Sequence, residues 1–319
     1  MPTLMRRYFK EVRLRQLRAL VELARHGSFT RAAKSLKLSA PSVWQQVRAL
    51  EEAFAVSLIA MRGQKVELTE DGTLLVELSA PIVESFDSLR PLFLDRRKLL
   101  ARQLTVATTG SLLANELRPP LELFRRTHPE VRLEFIDRPS AAARELLERG
   151  QADLAVVGQL DGVAANPLFE SSALTSYPFM LVCPKGHPLI KRRSLGLGEL
   201  ARQPLVLPGE GANSRAHVDA VFREAGLASC LNVVMSASTL PLLTGYVSMG
   251  FGISVTSVSP AILRAAKAGA KEYAGLEFRE VRKLFGEEKV VLLSRRGRLE
   301  LPHVKAFCET VTAALRHST

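Results

Sequence analysis

The sequence predicts an N-terminal all-α winged helix-turn-helix, then a linker helix, then a C-terminal α/β domain. Three observations carry that expectation. Two short amphipathic segments between Ser28 and Phe54 flank a tight turn at Lys37–Leu38. A long run from Thr69 repeats apolar residues at nearly heptad spacing. From Gln103 onward, apolar runs of strand length alternate with helical segments, the pattern of an α/β sheet. A chain of 319 residues has room for two or three domains with ample core.

Residues 1–12 (MPTLMRRYFKEV) read as a loose basic lead-in, where Arg6, Arg7 and Lys10 can meet phosphates. The first helix spans about 13–26, with Leu14, Leu17, Leu20, Val21 and Ala24 inward, and Gly27 ends it in a left-handed conformation. Ala32, Ala33 and Leu36 suit a short second helix crossed closely by another, and the hydroxyls of Ser28 and Thr30 stand at its start. Ser39 can cap a third helix whose first turn accepts Pro41. In that helix Val43, Val47, Leu50 and Phe54 recur at i, i+4, i+7 and i+11 and make one buried stripe. Gln45 points opposite the stripe, with Pro41 and Arg48 beside it. Gln matches adenine and Arg matches guanine bidentately, so this face suits base edges. SLIAM and KVEL then form a hairpin wing around Arg62–Gly63–Gln64, with Arg62 and Lys65 placed for phosphates or the minor groove.

The run LRQLRALVELARHGSFTRAAKSLKLSAPSVWQQVRALEEAF, followed by VELTEDG, resembles the DNA-binding domain of LysR-type transcriptional regulators. The matching features are the leucine-rich first helix, GSF-x-x-AA, LxxS-x-P, a QxxALE helix and LTxxG, and a looser resemblance extends through the rest of the chain. It implies a sequence-specific regulator that binds duplex DNA through Ser39, Ala40, Pro41, Ser42, Trp44, Gln45, Arg48, Arg62 and Lys65. Three departures bear on DNA preference. Ala40 stands where Gln is usual, Trp44 replaces a small hydroxyl residue, and Ile59–Ala60–Met61 replaces Phe-x-Arg.

Thr69 can cap the linker helix, and Glu70 and Asp71 favour its positive end. Leu75, Leu78, Ile82, Leu89 and Phe93 approximate an a/d seam for a second subunit. Pro81 and Pro91 each remove an intrahelical bond, so a kinked or broken helix is expected. DRRK, at 95–98, marks the exit.

In the α/β part, LTVA, VRLEFI and ADLAVV are strand candidates, with helices near 112–127 and 140–149. FMLVCP, PLVLP, LNVVM and GISVT follow, with helices near 214–226 and 239–249, then LEFREV, KVVLLS and a helix near 302–316. The alternation implies a largely parallel sheet. The resemblance implies a two-lobed, periplasmic-binding-protein-like effector domain. Its division would be 1–69, 70–101 and 102–319, with 102–173 and 279–319 in one lobe and 174–278 in the other. In such a fold the cleft lies at the C-terminal strand ends, where helix N-termini point inward. Thr108, Thr109, Gly110, Ser111, Ser140, Gln159, Asn213 and Ser214 are the candidate effector residues; a carboxylate or inorganic anion is the expected ligand class, and a neutral aromatic ligand stays open because hydroxyls and an Asn amide also bind uncharged oxygens. Gly158, Gly211 and Ala212 lie among them. Arg138 and Arg215 are within reach of an anion, though a solvated or interlobe ion-pair role suits each better.

Formal charge is +12, and residues 1–69 hold 13 Lys and Arg against 5 Asp and Glu, leaving +4 for the rest. A small basic module on a nearly balanced body points to a polyanion partner. Cys183, Cys230 and Cys308 have neither disulfide nor metal-ligand spacing and read as buried small apolar residues. His128, His187, His217 and His303 form no metal pair, and no GxSxG elbow or phosphate fingerprint is present. The expectation is a cytoplasmic non-enzyme with no metal and no cofactor. Its partners are duplex DNA, a small-molecule effector, RNA polymerase and its own copies as homodimer or homotetramer, with no membrane. Two other readings remain open from sequence: an enzyme or solute-binding protein with an accessory helix-turn-helix, and an architectural DNA binder without a ligand.

Overall fold

The computed structural model describes residues 12–62, 65–97, 102–160, 166, 168–298 and 300–316, less the side chains of Arg62, Lys65 and Arg316. Arg6, Arg7 and Lys10 lie outside the described residues. The head comprises α1 (Leu14–His26), α2 (Phe29–Leu36), α3 (Ala40–Phe54) and a hairpin of β1 (Ile59–Arg62) and β2 (Lys65–Leu68). Ala19, Leu20, Val21, Ala32, Val43, Val47 and Leu50 are fully buried, so the small residues of α2 do allow close crossing. Gly27 ends α1 in the left-handed region at φ 58°. Ser39 caps α3 by accepting from Ser42 N at 3.3 Å, whereas Ser28 makes no side-chain cap to α2.

The linker helix α4 (Glu70–Arg96) starts at Thr69, whose Oγ1 accepts from Gly72 N at 2.9 Å. It stays helical across Pro81 and Pro91 for 27 residues, so the expectation of a break is corrected. The packing explains this. Val76, Ala80 and Val83 are buried in an apolar cluster that runs from the head into the α/β part, and Ser85 Oγ donates to Gly297 O at 2.5 Å. The apolar seam also shifts: Leu75 packs partly buried against that cluster. Leu74, Leu78, Ile82, Phe86, Leu89 and Phe93 are each more than half exposed and form the outward stripe.

The first lobe orders its strands β4 (Arg132–Asp137), β3 (Gln103–Thr108), β5 (Leu154–Leu160), β11 (Glu287–Arg295) and β6 (Phe169–Pro184). Helices α5 (Gly110–Asn115), α6 (Arg118–Thr127), α7 (Ser140–Glu148) and, after β11, α14 (Pro302–Arg316) flank it. In the second lobe the outer half of β6 pairs with β9 (Ser254–Ser257) and β10 (Leu276–Glu280). Strand β7 (Pro204–Pro208) pairs in parallel with β8 (Asn232–Ala237), and Leu205 bridges to Ile253. Helices α8 (Pro188–Lys191), α9 (Leu197–Ala201), α10 (Asn213–Glu224), α11 (Leu240–Ser248) and α12 (Pro260–Lys267) pack there, and α13 (Arg282–Phe285) leads back to β11. The largely parallel sheet expected from the alternation is corrected to a mixed one. β3 is parallel to β4 and β5, but β11 is antiparallel to both β5 and β6. The cause is connectivity: the chain leaves the first lobe along β6 and returns along β11, so the two crossings run in opposite directions.

Cys183 is buried and Cys308 half-buried, but Cys230 is exposed on a short 3-10 turn, which corrects the reading of all three as buried. Among the described residues no helix is long and apolar enough to cross a membrane.

Candidate functional site: a helix face and an interlobe cluster

The outer face of α3 carries Pro41, Trp44, Gln45 and Arg48, all exposed. Ala40 leans instead onto the head core, and Ser39 and Ser42 share a hydroxyl contact of 2.8 Å within the cap. The Arg48 guanidinium lies 5.4 Å from the Trp44 ring centroid and donates to Glu51 Oε2 at 2.9 Å. Stacking and ion pairing therefore hold it along the helix surface. Glu51 is itself buried, and its Oε1 accepts from Leu58 N at 2.8 Å, so one carboxylate joins the recognition helix to the start of the wing. Sequence reasoning missed both the Trp44 contact and Glu51. The i, i+4 spacing of Trp44 and Arg48 was the available signal. Arg62 and Lys65 pair across the hairpin tip, while their side chains lie outside the described residues.

The candidate effector residues separate into two groups. Ser140, Asn213 and Gly158 come together: Ser140 Oγ accepts from Gly158 N at 3.2 Å, and Gly158 O accepts from Asn213 Nδ2 at 2.7 Å and Arg144 Nη2 at 2.6 Å. Ser214 is buried next to Asn213, and Gln159 follows Gly158 in β5, paired with Lys289. The lobes meet here, since Asn213 opens α10 of the second lobe and Gly158 belongs to β5 of the first. The second group stays apart. Thr109 caps α5 and contacts Ser111 Oγ at 3.2 Å, and Gly110 N donates to Asp137 Oδ1 at 2.7 Å. Thr108 is fully buried, and its Oγ1 has no partner among the described residues. Arg138 is exposed and donates to Asp137 O, and Arg215 is bound by Asp219 at 2.8 Å.

Beside Gly158 lies a group that sequence reasoning missed. Glu288 of β11 is buried, and its Oε2 accepts from Ser257 Oγ of β9 at 2.5 Å. Burial pushes its carboxyl up, against the hydrogen bonds of Ser257 and Asn213 and the nearby His217 and Arg144. Glu116, following α5, is likewise pushed up by burial, with the Tyr177 and Ser259 hydroxyls opposing. The Tyr177 phenol feels both carboxyls and is held up by burial and by them. Burial lowers the Arg144 guanidinium, with Glu288 opposing. The signal for Glu288 was parity: in EEKVVLL it shares a strand face with Val290 and Leu292, which are buried.

A basic helix-turn-helix head joined by one long helix to a two-lobed α/β domain defines a DNA-binding regulator with its own sensor module. The comparisons give its family. Residues 14–73 match the bacterial regulatory helix-turn-helix protein, lysR family, and residues 97–316 match the LysR substrate binding domain. The chain is 30% identical over 305 residues to the RuBisCO operon transcriptional regulator of Allochromatium vinosum, covering 94% of this chain and 95% of that one. It is 28% identical over 307 residues to the HTH-type transcriptional regulator cbl of Escherichia coli (strain K12), covering 94% and 92%. Among solved structures, full-length BenM superposes with a TM-score of 0.54 at 21% identity, over 96% of this chain and 97% of that one. The cofactor-binding domain of the Cbl transcriptional regulator gives a TM-score of 0.56 at 28% identity, over 67% and 91%. The chain belongs to the LysR family of transcriptional regulators.

Proposed function

We propose that Pro41, Trp44, Gln45 and Arg48 enter the major groove of duplex DNA, with Ser39, Ala40 and Ser42 at the leading end of α3 and Arg62 and Lys65 on the flanking backbone. The division of α3 carries this reading: Val43, Val47 and Leu50 are fully buried while the opposite polar face is exposed. The outward stripe of α4 supports pairing with a second copy, as a homodimer or within a homotetramer. The same reading divides the chain at 1–69, 70–101 and 102–319, with lobes 102–173 plus 279–319 and 174–278. A small-molecule effector sits between the lobes on Ser140, Gln159, Asn213 and Ser214, with Thr108, Thr109, Gly110 and Ser111 on the facing edge. It acts by binding two arrangements of the oligomer unequally, and RNA polymerase reads the outcome in the cytoplasm.

Binding to selected operators and to random duplexes tests the DNA assignment. Gln45→Ala and Arg48→Ala each lower discrimination by about 1–3 kcal/mol per lost base contact. Lys65→Ala lowers affinity for every duplex and flattens the salt dependence by roughly one phosphate contact. Unchanged specificity in both α3 variants would overturn the facing assignment.

A further inference from the structure

The interlobe site already contains the charge that its sequence leads one to expect in a ligand. Two places at helix starts would suit an anion, and each holds a carboxyl group of this chain. Asp137 accepts from Gly110 N at the start of α5. Glu288 lies where α7 and α10 converge on Gly158, and a Cβ built on Gly158 would fall 2.0 Å from its Oε1. An anion bound at either place would have to displace a carboxyl group of this chain.

Among the described residues, Arg144 and His217 are the basic groups that act on Glu288, and each contacts a backbone carbonyl. Arg144 approaches Glu288 from the first lobe, yet its Nη2 is committed to Gly158 O at 2.6 Å. His217 approaches from α10, and its Nε2 lies 2.6 Å from Phe285 O. Tyr177 and Ser257 supply only hydroxyls, and no cation contributes to the setting of Glu116. The cluster also contains unpartnered atoms. Among the described residues, Glu116 Oε1 and Thr108 Oγ1 make no hydrogen bond, though Glu116 is more than nine-tenths buried and Thr108 wholly so. By strand alternation Thr108 faces the side occupied by Val106, Val156 and Tyr177. Two buried carboxyls, one with an orphan oxygen, and a phenol thus converge where the lobes meet. Buried groups of this kind are costly unless something pairs with them.

We propose that this interlobe site takes a small organic cation, a ligand bearing an ammonium or amidinium group, held by Glu288 and Glu116 with the hydroxyls of Tyr177 and Ser257. The proposal rests on the reading that the effector binds between the lobes. Ser257 and Asn213 belong to the second lobe and Glu288 and Glu116 to the first, so a cation bridging them changes how the lobes meet.

Calorimetry on the full-length protein tests it, with ethanolamine, ethylenediamine and benzamidine as cationic probes and sulfate and acetate as anionic ones. Burial raises both carboxyls, so wild-type titrations in mild acid, where such groups are partly protonated, register proton release on cation binding in buffers of different ionisation enthalpy. An anion instead drives proton uptake on Glu288 or Glu116. The expected result is a cationic probe that binds with proton release and loses roughly tenfold or more in affinity in Glu288→Gln or Glu116→Gln. The wild-type proton count needs no variant to fold. Anion binding with proton uptake, abolished by Asn213→Ala, would overturn the charge assignment and keep the interlobe site. A cation bound equally by wild type, Glu288→Gln, Glu116→Gln and Asn213→Ala would overturn the interlobe reading itself. So would heats absent for every probe.

Discussion

Two buried ionic clusters lie in this chain, and they differ in how they are balanced. The first joins head, linker and first lobe. Arg25 pairs with Glu22 at 2.6 Å and Glu84 at 2.5 Å, and Arg295 pairs with Glu84 at 3.0 Å while donating to Leu147 O at 2.7 Å. Burial works against the Arg25 charge, but Glu22 and Glu84 together hold its pKa above the ordinary value. Each carboxylate here meets a guanidinium. In the interlobe cluster, Glu116 meets none and Glu288 meets mainly neutral donors. A balanced buried network can hold its charges in place, whereas carboxyls buried without a guanidinium partner are costly to ionise.

The sharpest way to break this contrast is to remove one member of the balanced cluster. Glu84→Ala leaves Arg25 and Arg295 buried without their shared partner, and should cost about 3–5 kcal/mol in equilibrium urea unfolding. A loss under 1 kcal/mol would place water among these groups and end the comparison.

Two glycines probe the same contrast sterically. Gly297 sits at φ 77°, and a Cβ there would lie 2.4 Å from Pro81 Cα, which is backbone on the linker helix. Gly297→Ala should cost about 2–4 kcal/mol and loosen α4 from the first lobe, as seen by faster amide exchange around Ser85. Gly158→Ala meets the end of a side chain, Glu288 Oε1, rather than backbone. The carboxyl can turn aside, so its stability cost should be nearer 1 kcal/mol. Equal costs for the two glycines would mean that Glu288 is as fixed as Pro81.

What the sequence revealed follows the same division between local and non-local causes. The head was legible because its signals are local: the stripe from Val43 to Phe54, the Ser39 cap and Gly27 all act within a few residues. The inner half of β6 was not, because FESSALTSY lacks an apolar run: Glu170, Ser171 and Ser172 are exposed, and pairing with β11 makes this stretch a strand. Pro81 and Pro91 argued for a break that packing against the first lobe overrides. The effector residues were half legible. Ser140 and Asn213 follow from strand and helix ends, but placing Glu288 beside them requires the register of β11 against β5 and β6.

The smallest expected effect is the pH dependence of stability in Glu288→Gln, and it isolates the unbalanced cluster. Burial raises the Glu288 carboxyl above its ordinary 4.5, so the folded chain binds a proton that the unfolded chain has begun to release. Below 4.5 the group is protonated in both states, and its contribution to stability is fully present. As pH rises through the elevated folded value that contribution is lost, because stability falls wherever the native state binds more protons. Gln cannot titrate and keeps an oxygen to accept from Ser257. Glu288→Gln should therefore match wild type in acid and become progressively more stable than it towards neutral pH. Urea unfolding at several pH values checks this. A variant whose deficit grows with pH would show an ionised Glu288 stabilised by His217 and Arg144, which would place this cluster with the balanced one.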